Sequence, residues 1–306
     1  MRILVIGGAG FIASHIVDRL VKLNHEISIV DNLSTGKVAN LNQNARFYKC
    51  DITNLDAIKL VFQVGQPEVV IHHAAQIDIQ TSLNKPAFDA ENNIIGTINI
   101  LECCKEFKVR KIIYPSSAAV YGNPEYLPVD ENHSIEPISF YGISKHTPEH
   151  YIKAYQKLYG INYTIFRYAN VYGIRQEPKG EGGVVSIFVD KLLKDEPPFI
   201  FGNGQQTRDF IYVKDIAQAN ILALHKGDNE IINISSNKAT TVNELFTLMR
   251  DVAGSDVEAV YKDVRKGDID NSYLDNGEAK EKLGWKVTFK LEDGIRETIQ
   301  YYKGGL

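Results

Sequence analysis

The feature of this sequence that most constrains its fold is a regular alternation of short apolar runs with longer amphipathic stretches through its first half. The short runs are rich in Val and Ile, as strands buried on both faces of a parallel sheet are. The stretches between them have helical spacing, so the pattern predicts successive strand–helix–strand units and an α/β fold with a doubly wound parallel sheet. Strands are predicted at 2–6, 26–31, 45–50, 68–73, 111–116 and 163–167, and helices at 11–23, 54–64 and 92–107.

The alternation ends after about residue 172. The later sequence predicts a loop at 173–183, a helix at 184–194, a strand at 231–234, a helix that begins with the capping box Thr241–Glu244, and a helix from Asp275 to Leu283 that stops at Gly284. We interpret 1–172 as the sheet domain, to which segments at about 205–240 return. Residues 173–306 are interpreted as a smaller, discontinuous lobe.

The composition excludes several classes of protein. Its 306 residues include 34 Lys and Arg against 38 Asp and Glu, without the basic excess of a nucleic-acid binder. No apolar run approaches the roughly 20 residues that span a bilayer, and no signal peptide precedes the first predicted strand. The three cysteines, Cys50, Cys103 and Cys104, lack metal-ligand spacing and suit reduced thiols. We expect a cytoplasmic protein that binds no nucleic acid, membrane or metal ion.

A glycine-rich loop, Gly7-Gly-Ala-Gly10, joins the first predicted strand to the first helix. Its glycines allow a tight turn and a close approach to a pyrophosphate, whose charge the N-terminus of the helix stabilises. Such a loop alone is equally typical of an ordinary turn, but its place between a strand and a helix favours dinucleotide binding. Asp31 ends the second strand, where a carboxylate binds a ribose 2′-OH and repels a 2′-phosphate; this favours NAD over NADP.

A phenol and an ammonium group stand four residues apart in Tyr141-Gly-Ile-Ser-Lys145. On a helix they share one face, and the lysine charge favours the phenolate, so the tyrosine can act as a base near neutral pH. Ser117 ends the fifth predicted strand, at the sheet edge where ligands of open α/β sheets bind. Its hydroxyl can bridge Tyr141 and a substrate oxygen.

Together these motifs resemble those of the extended short-chain dehydrogenase/reductase superfamily. The resemblance is carried by Gly7-Gly-Ala-Gly-Phe-Ile12, Ser117-Ala-Ala-Val-Tyr-Gly122, Tyr141-Gly-Ile-Ser-Lys145 and Arg167-Tyr-Ala-Asn-Val-Tyr-Gly173. Two more segments are similar to its nucleotide-sugar 4-epimerases: Asp31-Asn-Leu-Ser-Thr-Gly36 and Arg265-Lys-Gly-Asp268. The resemblance covers essentially the whole chain and implies an NAD-binding Rossmann domain with a C-terminal substrate lobe.

The resemblance also implies the roles of individual residues. The catalytic residues would be Ser117, Tyr141 and Lys145. The cofactor contacts would be Gly7, Gly10, Phe11, Ile12, Asp31, Asn32, Ser34, Thr35, Gly36, Asp51, Ile52, Ala74, Ala75, Asn92, Tyr141, Lys145 and Tyr168. The contacts to a UDP-sugar would be Ser117, Tyr141, Asn170, Phe201, Arg208, Arg265, Asp268 and Ser272. Arginine suits a diphosphate, although Arg208 or Arg265 taken alone equally suits a surface salt bridge.

The reaction implied is C4 epimerisation of a UDP-hexose through a transient 4-keto sugar, with NAD as the hydride carrier. Sugar dehydratases of this superfamily place Asp-Glu after the serine, and decarboxylases tend to carry a Glu, whereas this chain has Ala118-Ala119. Epimerisation is therefore the simpler interpretation. The alternatives are a UDP-uronate 4-epimerase or a nucleotide-sugar reductase on the same site. A non-enzyme alternative is an NAD-sensing protein, which would tend to lose the tyrosine or the lysine.

One position bears on the choice of sugar. In the family, the residue seven positions after the diphosphate arginine lies near the sugar, and a small residue there leaves room for an N-acetyl group. That residue is Ser272, although a one-residue slip would place Tyr273 there instead. We expect UDP-GlcNAc and UDP-GalNAc as substrates, beside UDP-glucose and UDP-galactose.

Two expectations concern the helices. Pro148 lies inside the helix that would carry Tyr141 and Lys145, and an interior proline costs about 3 kcal/mol unless the helix bends. We therefore predict a kink near residues 144–148. The family usually forms dimers through two helices, here 92–107 and 141–159, so a homodimer is expected.

Overall fold

The computed structural model describes residues 1–178, 183–264 and 269–304. Its strands are β1 (Arg2–Ile6), β2 (Glu26–Asp31), β3 (Arg46–Lys49), β4 (Val69–His72), β5 (Lys111–Ser117), β6 (Asn162–Tyr168), β7 (Asn170–Tyr172), β8 (Phe199–Phe201), β9 (Thr207–Arg208), β10 (Phe210–Tyr212), β11 (Glu230–Ile234), β12 (Thr240–Thr241) and β13 (Val260–Lys262). Its α-helices are α1 (Phe11–Lys22), α2 (Leu55–Gly65), α3 (Ile79–Asn84), α4 (Pro86–Ala90), α5 (Gly96–Glu106), α6 (Phe140–Tyr159), α7 (Val184–Leu193), α8 (Val213–Ala223), α9 (Val242–Ala253) and α10 (Leu291–Tyr302).

Seven strands form one parallel sheet in the order β11-β6-β5-β4-β1-β2-β3. The strand order reverses between β1 and β4, which makes this the switch point where open α/β sheets bind ligands. The predicted doubly wound parallel sheet is therefore confirmed. Each of the six strands predicted in the first half is present, with ends that differ from the prediction by one residue at most.

Alternate side chains of β1 enter two different cores. Ile3 and Val5 pack with α1 and α8 on one face of the sheet. Leu4 and Ile6 pack on the other face, with α2, α5 and α6. Burying each such side chain contributes roughly 1.5–3 kcal/mol, so the apolar run Ile3–Ile6 is stabilised from both faces of the sheet.

The C-terminal lobe has its own core. Side chains of α7, α9 and α10 surround the aromatic residues Tyr172 and Tyr212. Among the described residues, three two-stranded sheets lie outside the main sheet: β7–β10, β9–β12 and β8–β13. The capping box is present, with reciprocal hydrogen bonds between Thr241 and Glu244, and Gly284 has the left-handed φ of 69° expected at a helix end. The domain boundaries stay a prediction, but β11 lies within the main sheet as that prediction requires.

Two π-helical turns are present in the described part of the chain, Glu91–Ile95 and Ala279–Leu283. One π-helical turn, Glu91–Ile95, joins α4 to α5, so the predicted helix 92–107 is the second part of a longer run. Helix α6 runs without interruption through Pro148, and its kink stays a prediction. Within the described ranges, no helix is long and apolar enough to cross a membrane.

Candidate active site

A cleft opens at the carboxyl ends of β1, β2 and β4, beside the switch point of the sheet. Most of the residues predicted to contact the cofactor line it: Gly7, Gly10, Phe11, Ile12, Asp31, Asn32, Ser34, Thr35, Gly36, Ile52, Ala74, Ala75 and Asn92. Asp51, Tyr141, Lys145 and Tyr168 were also predicted and are not among its lining residues. The structure therefore brings residues spread between positions 7 and 92 into one concave surface.

The glycine loop forms the floor of the cleft. Gly7 has a φ of +79°, and a Cβ added to it would lie 2.6 Å from the backbone N of Ala74. Gly10 caps α1 without a side-chain hydrogen bond, and the first turn of α1 carries no acidic residue. The first backbone N–H groups of a helix have no partner inside it, and its dipole is positive at this end. This end of α1 thus suits a pyrophosphate.

Asp31 holds the loop that closes one side of the cleft. Its carboxylate accepts hydrogen bonds from the backbone N of Ala9 at 3.0 Å and of Leu33 at 2.8 Å. A Cβ on Gly36 would lie 2.7 Å from this carboxylate, so a larger residue there would displace the Asp31 side chain. Burial raises the pKa of Asp31 above its ordinary value, against the lowering effect of the two backbone hydrogen bonds. The carboxylate keeps lone pairs for a ribose hydroxyl.

Asp51 supports the cleft from behind. It accepts a hydrogen bond from the side-chain amide of Asn32 at 2.7 Å and two from Thr53. Partial burial raises the pKa of Asp51, but these hydrogen bonds lower it more, and the net shift is downward. Because its acceptors are turned toward Asn32 and Thr53, Asp51 positions a lining residue rather than lining the cleft itself.

Several lining residues were missed at the sequence level: Lys37, Asn40, Cys50, His73, Ile77, Arg175, Gln176 and Glu177. Lys37 and Glu177 form an ion pair between the loop after β2 and the loop after β7. Arg175 pairs with Asp18 of α1 at 2.8 Å. These ion pairs join segments that are far apart in the sequence, so no local motif predicts them. The only sequence signal for residues 175–177 was their position just after the motif that ends at Gly173.

His73 stands at the inner end of the cleft, directly after β4. Its Nε2 lies 3.4 Å from the hydroxyl of Tyr168, and its buried Nδ1 has no hydrogen-bond partner among the described residues. Burial lowers the pKa of His73 to about 3, so the ring is neutral. Tyr168, a predicted cofactor residue that does not line the cleft, thus contacts the lining residue His73. The cleft therefore offers four features that fit a dinucleotide: the glycine loop, the N-terminus of α1, the carboxylate of Asp31 and the unpartnered Nδ1 of His73.

The predicted catalytic helix packs along β5 and against the turn that follows it. The hydroxyl of Tyr114 donates to the backbone O of Lys145 at 3.4 Å, and Lys145 Nζ lies 4.6 Å from the Tyr114 ring centroid. Ser116 Oγ donates to Glu149 at 2.6 Å. A Cβ on Gly142 would lie 2.6 Å from the backbone O of Ala119, so the start of α6 presses on the turn after β5.

This docking brings the predicted catalytic residues to one end of β5. Ser117 is its last residue, and Oγ accepts a hydrogen bond from the backbone N of Ala119 at 3.2 Å. Tyr141 is the second residue of α6, and its backbone N donates to Ser82 Oγ at 3.1 Å. Burial lowers the pKa of Lys145 to about 7, while nearby carboxylates act in the opposite direction. A lysine near neutrality beside a tyrosine suits proton transfer.

The predicted substrate residues gather around β9 and β10. Asn170 pairs with Phe210 and donates its backbone N–H to the O of Asp209 at 2.9 Å. Arg208 Nη1 donates to the O of Thr207 at 2.8 Å, and the same O accepts the backbone N–H of Ser272 at 3.2 Å.

Two more contacts extend this substrate cluster. Phe201 ends β8, and its backbone O accepts from Gln206 at 2.8 Å. The carboxylate of Asp209 receives the backbone N–H of Leu274 at 3.3 Å. The other two predicted residues, Arg265 and Asp268, lie outside the described residues.

Comparison with known proteins identifies the class of protein. The model of the NAD dependent epimerase/dehydratase family matches residues 3–235. The chain belongs to this family, which confirms the predicted superfamily and NAD as its cofactor.

Similar proteins are known in several organisms. The crystal structure of UDP-glucose 4-epimerase from Thermotoga maritima, solved with UDP-glucose, is 47% identical, with a TM-score of 0.98 over 99% of each chain. The UDP-N-acetylglucosamine 4-epimerase of Methanobrevibacter ruminantium, in complex with UDP-N-acetylmuramic acid, is 36% identical, with a TM-score of 0.95 over 100% of this chain and 99% of that chain. The UDP-glucose 4-epimerase of Mycolicibacterium smegmatis is 38% identical over 99% of each chain.

Proposed function

We propose that this protein is an NAD-dependent UDP-sugar 4-epimerase, with UDP-GlcNAc and UDP-GalNAc as its substrates beside UDP-glucose and UDP-galactose. The reaction inverts the configuration at C4 of the sugar. NAD⁺ held in the cleft would accept the hydride of C4 and return it to the other face of the ring. The names of the similar proteins support a UDP-sugar as the substrate class.

One observation carries the proposal: α6 is pressed onto the end of β5 at the approach of Gly142 to Ala119. This approach sets Tyr141, the neighbour of Gly142, beside the turn that follows Ser117. Tyr141 takes the proton of the C4 hydroxyl and later returns it. Lys145 favours the phenolate form by its charge, and Ser117 orients the C4 oxygen.

The residues after Ser117 separate epimerisation from elimination. Ala118 and Ala119 form a 3₁₀ turn, and Ala118 packs against the small apolar cluster around Tyr121 and Leu274. Neither side chain can give or take a proton, so a 4-keto sugar at this place would lose no water through them. This favours return of the hydride as the next step.

Ser272 supports the N-acetyl sugars as substrates. It lies on the segment that binds β9 next to Arg208, and its side chain is partly buried. A hydroxymethyl group at this position occupies less space than an aromatic ring and leaves room for an acetamido group.

The test is to incubate the purified protein separately with UDP-GlcNAc, UDP-glucose and UDP-glucuronate, first without and then with added NAD⁺, and to follow the C4 epimers by proton NMR. Conversion of UDP-GlcNAc, with a smaller or equal rate for UDP-glucose, is the expected result. Conversion of UDP-glucuronate alone would replace the substrate proposal and leave the reaction type standing. Absence of any conversion with NAD⁺ bound would refute the epimerase.

We also propose that the protein is a homodimer. Helices α5 and α6 lie side by side, and an apolar face crosses α6 at helical spacing through Ile143, Tyr151 and Leu158. Ile95, next to α5, is 49% exposed, and Leu158 is 70% exposed. Two copies meeting through this face would bury these side chains in a four-helix arrangement.

The dimer is tested by sedimentation of the double variant Tyr151→Glu/Leu158→Glu. We expect the wild type to sediment as a dimer and this variant as a monomer, because each carboxylate would have to be desolvated in the interface. Leu60→Glu, on the equally exposed face of α2, is the matched control and is expected to stay dimeric. A monomeric wild type would end this proposal.

A further inference from the structure

A buried carboxylate lies between β9 and β10, within the predicted substrate cluster. Asp209 is 1% exposed. Its Oδ1 accepts two hydrogen bonds from Ser236, one from the backbone N at 2.8 Å and one from Oγ at 2.6 Å. Its Oδ2 accepts the backbone N–H groups of Asn237 at 3.1 Å and of Leu274 at 3.3 Å. Burial raises the pKa of Asp209, and these hydrogen bonds act in the opposite direction. Each oxygen therefore has two donors, and donors of this kind stabilise a buried charge.

These donors come from two segments that are distant from Asp209 in the sequence. One is the loop that follows β11, and the other is the segment 270–276, which contains Leu274. The two segments also bind each other. Ser235 Oγ donates to the backbone O of Leu274 at 2.9 Å, and Asn276 Nδ2 donates to the backbone O of Ser235 at 3.0 Å. The carboxylate of Asp209 thus joins three parts of the chain at one point.

Residues predicted to contact the UDP-sugar lie next to these contacts. Arg208 immediately precedes Asp209. The backbone O of Asp209 accepts the backbone N–H of Asn170 at 2.9 Å. Ser272 lies two residues before Leu274 and donates its own backbone N–H to β9 at 3.2 Å. Loss of the carboxylate would therefore loosen the segment that carries one predicted contact from the strand that carries another.

We propose that Asp209 is a positioning residue of the UDP-sugar site, whose carboxylate holds the segment 270–276 against β9 and fixes the separation of Arg208 and Ser272. The proposal rests on the proposed function, which assigns these two residues to the nucleotide sugar. A planar guanidinium binds phosphate oxygens well only in a fixed geometry. Removal of the carboxylate should therefore weaken binding of the UDP-sugar and leave the chemistry at β5 and α6 in place.

A second buried carboxylate offers a matched control. Asp215, on α8, accepts the backbone N–H groups of Thr288 and Phe289, each at 3.1 Å, and the hydroxyl of Thr288. The donors are of the same kinds as those of Asp209, and Asp215 is equally buried. Its donors belong to the segment before α10, where none of the predicted substrate residues lies. A variant of Asp215 therefore loses similar buried hydrogen bonds away from the predicted substrate residues.

The experiment compares wild type, Asp209→Asn and Asp215→Asn. Asparagine keeps the size of the side chain but replaces one acceptor oxygen by an NH₂ group. In either orientation at Asp209, this NH₂ group faces at least one backbone N–H, because both oxygens accept one. Calorimetric titration gives the affinities for UDP and for NAD⁺, and proton NMR gives KM and kcat for the UDP-sugar that turns over.

We expect Asp209→Asn to weaken UDP binding and to raise KM by about 10-fold or more, because hydrogen bonds to a charged group are lost. Its kcat and its affinity for NAD⁺ should stay within about 3-fold of the wild type, since a loss of uniform binding raises KM alone. Asp215→Asn is expected to keep wild-type affinity for UDP and wild-type KM. Unchanged UDP affinity and KM in Asp209→Asn would overturn the proposal.

Two further outcomes decide between a positioning and a merely structural role. If kcat and NAD⁺ affinity fell as far as UDP affinity in Asp209→Asn, the residue would be only structural and the proposal would be wrong. If this variant does not fold, Ser236→Ala removes one hydroxyl donor and keeps the carboxylate. It is expected to weaken UDP binding by roughly 3-fold, and wild-type UDP affinity in it would count against the proposal.

The titrations also separate this proposal from the proposed function. A wild type that binds UDP but turns over no UDP-sugar would end the epimerase proposal, while the UDP affinities of the variants would still decide the role of Asp209. A wild type that binds no UDP would overturn the role of Asp209.

Discussion

The cofactor cleft and the substrate lobe differ in which atoms form their candidate binding surfaces. The cleft is built at the ends of neighbouring parallel strands, and its decisive atoms belong to the backbone around Gly7, Gly10 and Gly36. The lobe is assembled from two- and three-residue strands such as β9 and β10, and its candidate contacts are side chains. A site made of backbone tolerates little variation, whereas a site made of side chains can change its specificity one residue at a time. The lobe is therefore where a choice of sugar is expected to be encoded.

The largest expected effect is at the junction of the two regions. Tyr141→Phe removes the acid–base hydroxyl, and kcat should fall by roughly 10³-fold for every sugar, in line with the 10²–10⁴-fold contribution of such groups. Calorimetry should show that NAD⁺ still binds, because Tyr141 is not among the residues that line the cleft. Turnover at a comparable rate in the variant would remove Tyr141 from the mechanism.

A change in the lobe should separate the sugars without touching the cofactor. In Ser272→Tyr, turnover of UDP-GlcNAc should fall about 100-fold or more while that of UDP-glucose is spared, because the ring fills the space of the acetamido group. The ratio of the two rates by proton NMR measures this directly. Ser272→Ala is the matched control and should keep both substrates; equal loss of both sugars in the tyrosine variant would contradict the assignment.

A change in the cleft should do the reverse. Asp31→Asn should weaken NAD⁺ binding by roughly 10-fold or more, since hydrogen bonds to a charged group contribute about 1.5–3 kcal/mol, and should leave the ratio of sugars as it was. Asp56→Asn, an exposed carboxylate of α2, is expected to bind NAD⁺ normally. If Asp31→Asn altered the sugar ratio, the separation between cleft and lobe would be wrong.

The smallest expected effect concerns stability of the lobe. Thr241→Ala removes the hydroxyl that caps α9 and should lower the free energy of unfolding by about 1 kcal/mol. Thermal unfolding with and without NAD⁺ measures it. Thr241→Ser keeps the cap and should unfold like the wild type, and neither substitution should change NAD⁺ affinity.

The sequence was a good guide where the structure depends on local pattern. The strands of the first half, the glycine loop, the capping box at Thr241 and the helix end at Gly284 were all predicted and are all present. Each of them is decided by neighbouring residues: apolar runs, a required φ or a side-chain cap.

What escaped prediction depends on contacts between distant segments. Strands β9 and β12 have two residues each, too few for any periodicity. Helix α10 contains Gly294, which weakens a helical pattern in the sequence. A Cβ there would lie 2.2 Å from the hydroxyl of Tyr172, so close packing against Tyr172 explains the glycine.

The position of β11 has a consequence for the order in which the chain can assemble. It completes the edge of the sheet beside β6, yet the whole of β7 to β10 and two helices intervene between these neighbours in the sequence. On the ribosome, every residue that lines the cofactor cleft emerges before α7, the last being Glu177. Until β11 arrives, β6 is an open strand edge, which is a template for unwanted pairing with other chains. Early capture of the dinucleotide would stabilise the unfinished sheet through this exposed interval by mass action.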